Sequence, residues 1–125
     1  GTHRTINYLR AFTPYMSLLA NWELRCGGFA DLKVEPTDFI YADPPYDVVF
    51  TQYSAGGFSW DDQVQLAQWL AQLPNPVVVS NQATPRILSL YSDLGFEIKI
   101  LDAPRMISSS GDRTRAKEIL AVKNV

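Results

Sequence analysis

Phe39-Ile40-Tyr41-Ala42-Asp43-Pro44-Pro45-Tyr46 is the stretch on which the reading of this chain turns. A short apolar run that ends abruptly in Asp reads as a buried strand whose last residue emerges at the sheet edge. In open α/β sheets, ligands sit at that edge, outside the carboxyl ends of the strands. Each proline ring fixes φ and removes an N–H, and Pro45 drives Pro44 towards extended backbone. The carbonyls of this turn therefore have few local partners and can face a ligand, beside the flat ring of Tyr46. A carboxylate, aimed carbonyls and an aromatic face suit a planar group bearing an amino substituent. On the residues alone, a strand running into an ordinary proline-rich turn remains the alternative.

The sequence on either side continues an alternating pattern of strands and helices. Upstream, Ile6, Leu9, Phe12, Tyr15, Met16 and Leu19 recur at helical spacing, and Pro14 predicts a kink or two short helices. That stripe reads as core. Residues 22–26 alternate as a strand and lead into Gly27-Gly28-Phe29-Ala30-Asp31, where paired glycines permit either a plain turn or a close approach to a ligand.

Downstream, residues 47–58 form a long loop with Phe50, Tyr53, Gly56, Gly57 and Phe58, a mobile functional segment by composition. Ser59 predicts a helix N-cap, with Asp61 and Asp62 in the first turn. Val64, Ala67, Leu70 and Ala71 are its expected buried face. Val77-Val78-Val79 reads as a parallel strand covered on both faces, with Ser80-Asn81 emerging on the same side as Asp43. Thr84-Pro85 starts another helix, which buries Leu88, Tyr91 and Leu94 and stops at Gly95. Residues 96–101 and 118–123 read as the last two strands, an antiparallel hairpin at the sheet edge. Their connection carries Arg105, Arg113 and Arg115. The expected fold is one α/β domain over residues 1–125, mostly parallel, with helices on the faces.

Composition narrows the function classes. With 125 residues, 46% apolar and 19% charged, the chain is globular rather than disordered. A net charge of −2 gives no global field for nucleic acid or an anionic membrane, although a local patch suffices for either. The lone cysteine, Cys26, excludes an internal disulfide and points to a reducing, cytoplasmic compartment. One Cys and one His, His3, argue against a zinc site. No apolar run is long enough to span a membrane, and the N-terminus carries no signal-peptide pattern.

Taken in order, these stretches resemble a known family. Asp43-Pro44-Pro45-Tyr46 after an apolar strand resembles the catalytic signature of amino-group DNA methyltransferases. Phe29-Ala30-Asp31, Phe50-Thr51-Gln52-Tyr53 with Phe58, Ser80-Asn81, and Ile107 to Gly111 leading into Lys117-Glu118-Ile119-Leu120 are similar to blocks of the Dam-type DNA adenine methyltransferases. The likeness runs from about residue 15 onward. The family's glycine-rich Phe-x-Gly-x-Gly segment and its target-recognition region have no counterpart here, so the chain looks like the C-terminal half of such an enzyme. The resemblance then implies a partial Rossmann-like methyltransferase sheet. Its first strand would lack its usual neighbours and pair with the strand ending at Asp43, with a partner chain or with the missing N-terminal half.

The resemblance also implies roles. Asp43 and the Pro44 carbonyl would accept the two hydrogens of an adenine amine, favouring a tetrahedral nitrogen aimed at the methyl group of S-adenosylmethionine. Pro45 would stiffen the turn, and Tyr46 would stack on a base extruded from DNA. Asp31, Phe29 and Asp43 would hold the cofactor. Phe50 and Tyr53 would close over it, with Ser80 and Asn81 beside the substrate. Arg105, Arg113 and Arg115 would contact phosphates or remain solvated. A non-catalytic remnant of the fold is the alternative, and cytosine amines could be served by the same chemistry.

Overall fold

The computed structural model describes residues 15–47, 57–103 and 116–125. The expected kink at Pro14, the apolar positions Ile6, Leu9 and Phe12, and His3 lie outside these residues, as do Phe50, Tyr53, Arg105, Arg113 and Arg115. Among the described residues eight elements follow one another: α1 (Met16–Leu19), a 3-10 turn (Phe29–Asp31), β1 (Ile40–Ala42), α2 (Trp60–Gln72), β2 (Val77–Gln82), α3 (Pro85–Asp93), β3 (Glu97–Ala103) and β4 (Ala116–Lys123).

The helices start and stop where side-chain chemistry tells them to. Ser59 caps α2 with a full capping box: its Oγ accepts from the Asp62 N–H at 3.1 Å, and its own N–H donates to Asp62 Oδ2 at 2.7 Å. Thr84 Oγ1 accepts from the Ile87 N–H at 3.3 Å, and Pro85 occupies the first turn of α3, where its missing donor is harmless. Gly95, at φ 80°, ends that helix in backbone that side-chain-bearing residues avoid.

The four strands form one sheet in the order β1-β2-β4-β3. β1 and β2 are parallel, with Ile40 opposite Val77 and Ala42 opposite Val79. β4 is antiparallel to both of its neighbours. The expected hairpin of β3 and β4 is present, but its antiparallel strand is not at the edge. The α3 crossover sets β3 two places from β2, and the hairpin folds β4 back into the gap. Among the described residues, β1 and β3 are therefore the edges.

One face of the sheet carries the core. Val77 and Val79 of β2 and Ile119 and Ala121 of β4 meet Leu66, Ala67 and Leu70 of α2 and Ile87 and Tyr91 of α3, with Phe96 beside them. The rings of Tyr91 and Phe96 meet edge to face at 5.2 Å. Burial raises the pKa of the Tyr91 phenol. Lys123, at the end of β4, reaches over this face and donates to the carbonyls of Ala71 and Leu94, both at 3.0 Å. Both long helices thus pack on one side, whereas β2 was expected to be covered on two. The other face presents Tyr41, Val78, Leu120 and Val122, none of them buried.

Two further expectations change. On α2 the buried set is Gln63, Leu66, Ala67 and Leu70, so the stripe is rotated and Val64 and Ala71 are only half-buried. On α3, Ile87 and Tyr91 are buried while Leu88 and Leu94 are half-buried. Upstream of β1 the departures are larger. Residues 22–26 form no strand. Among the described residues β1 bonds only to β2, and residues 22–26 do not take the place beside its other edge. Tyr15, Met16 and Leu19, expected in the core, are 57%, 64% and 47% exposed.

Candidate functional site

The site is built where β1 runs out. Its last residue, Ala42, is followed by Asp43-Pro44-Pro45-Tyr46-Asp47, and the neighbouring β2 reaches the same height at Ser80-Asn81. Successive residues of a strand point to opposite faces. Ser80 and Asn81 therefore address the turn from two sides, and both sides are bonded.

On the face away from the helices, Ser80 Oγ donates to Asp43 Oδ1 at 2.5 Å, with the Ala42 carbonyl at 3.4 Å. Asp43 itself is exposed. No partner for its Oδ2, or for the Pro44 carbonyl, is found among the described residues. Tyr46 Oη points to Glu118 Oε2 of β4 at 3.5 Å. Burial holds the Tyr46 phenol above its ordinary 10.0; the nearby Glu118 and Asp43 carboxylates push the same way, and a hydrogen bond with Ser80 opposes them. The phenol is accordingly neutral at physiological pH.

On the helix face a chain of buried polar groups grips the same turn. The side-chain amide of Gln63, on α2, donates to the Pro45 carbonyl at 2.7 Å. Its Oε1 accepts from Asn81 Nδ2 at 3.0 Å, and Asn81 Oδ1 accepts from the Asp47 N–H at 3.1 Å. Asp47, also buried, accepts from Thr84 Oγ1 at 2.9 Å and from Arg86 Nε at 2.6 Å, with Arg86 Nη2 closing the fork on its other oxygen. The bond to Asp47 raises the pKa of the Arg86 guanidinium, which also lies 4.4 Å from the centre of the Trp60 ring.

This arrangement amends the expected freedom of the turn's carbonyls. The Pro45 carbonyl is occupied from within, while that of Pro44 is not. Asn81 is fully buried, and both ends of its amide are engaged inside the protein. Ser80 does reach Asp43.

A cavity of about 470 Å3 runs along the unpaired edge of β1. Phe29, Phe58, Trp69, Ile40, Asp43 and Pro44 are among its walls. Phe29 is set by packing on α2, its ring 5.7 Å from that of Trp69. A second hollow of similar size, lined by Arg25, Cys26, Gly28 and Asp31, shares Phe29 and Leu32 with the first. Phe29 and Asp43 thus share one cavity, and Asp31 lies in the adjoining one. A Cβ at Gly28 would sit 3.2 Å from Asp31 Oδ2, a tight contact that a small shift of the exposed Asp31 side chain relieves. Volumes of this order fit a small organic ligand, for which about 300–1,000 Å3 is usual.

The residues that sequence reasoning missed are Gln63, Asp47 and Arg86. Gln63 and Arg86 carried a signal. Gln63 lies three, four and seven residues before Leu66, Ala67 and Leu70, on the apolar stripe, where a polar group needs a buried partner. Arg86 is a cation in the first turn of a helix, where the dipole disfavours it unless an acid stands opposite.

The sequence was compared with known proteins. Residues 3–107 match the model of the D12 class N6 adenine-specific DNA methyltransferases. A retron Ec67 DNA adenine methylase of Escherichia coli is 42% identical over 89 residues, 68% of this chain and 30% of that protein. A DNA N-6-adenine-methyltransferase of Escherichia phage P1 is 34% identical, covering 98% of this chain and 18% of its own length. A type II methyltransferase of Methanocaldococcus jannaschii is 35% identical across 78% of this chain and 37% of its own. The chain therefore spans little more than a third of these relatives at most. A matched stretch of 105 of its 125 residues, with the Asp43–Tyr46 turn inside it at the carboxyl edge of a parallel strand pair, decides the assignment. The chain belongs to the D12 class of N6 adenine-specific DNA methyltransferases.

Proposed function

We propose that this chain supplies the catalytic half of an enzyme that transfers a methyl group from S-adenosylmethionine to the exocyclic amine of adenine in DNA. The observation that carries the reading is the pair of acceptors at the tip of β1. Asp43 is exposed and steadied by Ser80 through one oxygen only, and the Pro44 carbonyl beside it has no partner among the described residues.

The cavity suits the methyl donor in its chemistry. Its walls are mainly apolar and aromatic, as a flat heterocycle requires, and Asp43 and Pro44 are among them. When bound there, S-adenosylmethionine would supply an electrophilic methyl group on a sulfonium. Phe29 and Trp69 would pack the heterocycle, and Asp31, in the adjoining hollow, would bond its amine.

The residues of the chain do the rest by positioning and electrostatics. An adenine amine is a poor nucleophile because its lone pair is delocalised into the ring. Asp43 Oδ2 and the Pro44 carbonyl each accept one of its hydrogens, favouring the tetrahedral form in which the lone pair is localised. Tyr46 offers a neutral ring to a base taken out of the duplex, which offsets part of an unstacking cost of a few kcal/mol. The assigned DNA contacts of Phe50, Tyr53, Arg105, Arg113 and Arg115 belong to the same proposal.

The rest of the enzyme would meet this chain at the unpaired edge of β1. That edge borders the cavity, and Phe39 and Tyr41 beside it are 61% and 59% exposed. The same openness favours a second reading for the chain in isolation, a remnant that keeps the turn and binds the methyl donor weakly. Titration calorimetry with S-adenosylmethionine separates the two: micromolar binding supports a working half-site, and no measurable heat supports the remnant. Methyl transfer to adenine-containing DNA then tests the chemistry. Asp43→Ala is expected to lower the rate about a hundredfold or more, the scale for losing one preorganised polar contact, without altering the unfolding midpoint. Undiminished transfer refutes the role of Asp43.

A further inference from the structure

We propose that Gln63 and Asn81 act as one positioning device for Tyr46, gripping the backbone on both sides of that residue so that its ring is fixed before a base arrives. The proposal rests on the reading of Tyr46 as the platform for the base. The grip itself is a matter of geometry. The group immediately before Tyr46, the Pro45 carbonyl, accepts from Gln63 Nε2 at 2.7 Å. The group immediately after it, the Asp47 N–H, donates to Asn81 Oδ1 at 3.1 Å. The two amides are joined at 3.0 Å, so the bonds form a closed path from α2 through β2 around the residue between them.

Chemistry explains why amides stand at both positions. Pro44 and Pro45 lack N–H groups, so the turn cannot hold itself with ordinary backbone bonds. It presents one acceptor and one donor to the interior, and each must be satisfied there. A side-chain amide is the neutral group that offers a donor and an acceptor together. Gln63 spends its donor on Pro45 and its acceptor on Asn81; Asn81 spends its donor on Gln63 and its acceptor on Asp47 and on its own neighbour, Gln82. Both are buried, at 2% and 0% exposure, so water does not compete for these bonds. Arg86 and Thr84 then hold the far end by bonding the Asp47 carboxylate.

Replacing Gln63 by Glu keeps the shape but puts an acceptor where the Pro45 carbonyl needs a donor. Gln63→Met keeps the length and removes both bonds. A single 3-fluorotyrosine at position 46 reports the ring. Its fluorine resonance is expected to broaden or split in Gln63→Glu and in Gln63→Met, and to stay unchanged in Gln65→Glu, an exposed position on the same helix. An unchanged resonance in both Gln63 variants overturns the proposal. Should neither variant fold, the wild-type chain still decides it. The Gln63 side-chain amide hydrogens are expected to exchange with solvent at least about tenfold more slowly than those of Gln65, and equal rates overturn the grip.

Where methyl transfer is measurable, Gln63→Met is expected to lower kcat about tenfold while the KM for S-adenosylmethionine stays within about twofold, the pattern of lost positioning. A loss confined to that KM, with kcat intact, overturns the assignment to Tyr46. A wild-type chain that transfers no methyl group by itself is the behaviour of a half-enzyme or of the remnant, and the resonance and exchange measurements then decide the grip.

Discussion

Leu24 is 85% exposed, whereas Leu70 is fully buried, and the contrast between their two regions runs through the whole molecule. Downstream of β1, caps, strand register and apolar stripes agree, and the interior closes on itself. Upstream of β1, Leu18, Leu19, Trp22 and Leu32 face solvent, and the segment contributes little beyond Phe29 to the core. Exposed apolar surface on this scale usually marks an interface. The difference teaches that holding the Asp43–Tyr46 turn and enclosing a cavity are separate tasks. The closed region does the first alone. The second is done on one side only, at an edge of the sheet that has no neighbour among the described residues.

The broadest way to break that comparison is a matched pair of truncations. Leu70→Ala is expected to destabilise the fold by about 2–5 kcal/mol, and Leu24→Ala by less than about 0.5 kcal/mol, in denaturant unfolding. Equal losses would mean that the upstream segment is buried in solution by something the single chain does not provide.

Asp47→Asn sharpens the comparison within the closed region by weakening its hold on Arg86. A loss of about 2 kcal/mol is expected. That is below the roughly 3–5 kcal/mol for breaking a wholly buried pair, because the Arg86 side chain is 41% exposed and water screens it. The same unfolding assay checks it.

Smaller still is the cap of α2. Ser59→Ala is expected to cost about 1 kcal/mol. Hydrogen bonds from Ser59 hold the Asp62 carboxyl below its ordinary 3.8. A carboxyl depressed by folding contributes stability that is complete above its unfolded pKa and is lost as pH falls through the folded value. A stability gap between wild type and Asp62→Asn at neutral pH should therefore close in acid, below the ordinary carboxylate range. A gap that persists unchanged at pH about 2 would assign it to something other than this ionisation.

What could be read from the residues divides along the same line. The strand tip at Asp43, the caps at Ser59 and Thr84, the stop at Gly95 and the final hairpin are local signals, and local signals survive when neighbours are absent. The order of the strands is not local: nothing in residues 96–123 states that β4 enters between β2 and β3. The alternation of residues 22–26 was legible, but a strand needs a partner, and these residues pair with no strand among the described residues. Apolar spacing around Tyr15 to Leu19 could not distinguish a stripe facing this chain's core from one facing another surface. The buried amides at Gln63 and Asn81 were obscured for a different reason. Glutamine on an apolar stripe reads as a break in the pattern until its partner, eighteen residues away, is brought alongside it.

Ser80 and Asn81 are neighbours in sequence yet fasten opposite sides of the same turn, and this ties function to strand parity. Deleting one residue between Val77 and Val79 would exchange the sides from which the hydroxyl and the amide approach, while most of the apolar letters in this valine run would still read alike. Such a frame error would pass for a conservative change in composition and would uncouple both fastenings at once. Change in this segment is thus restricted to substitutions that keep its count.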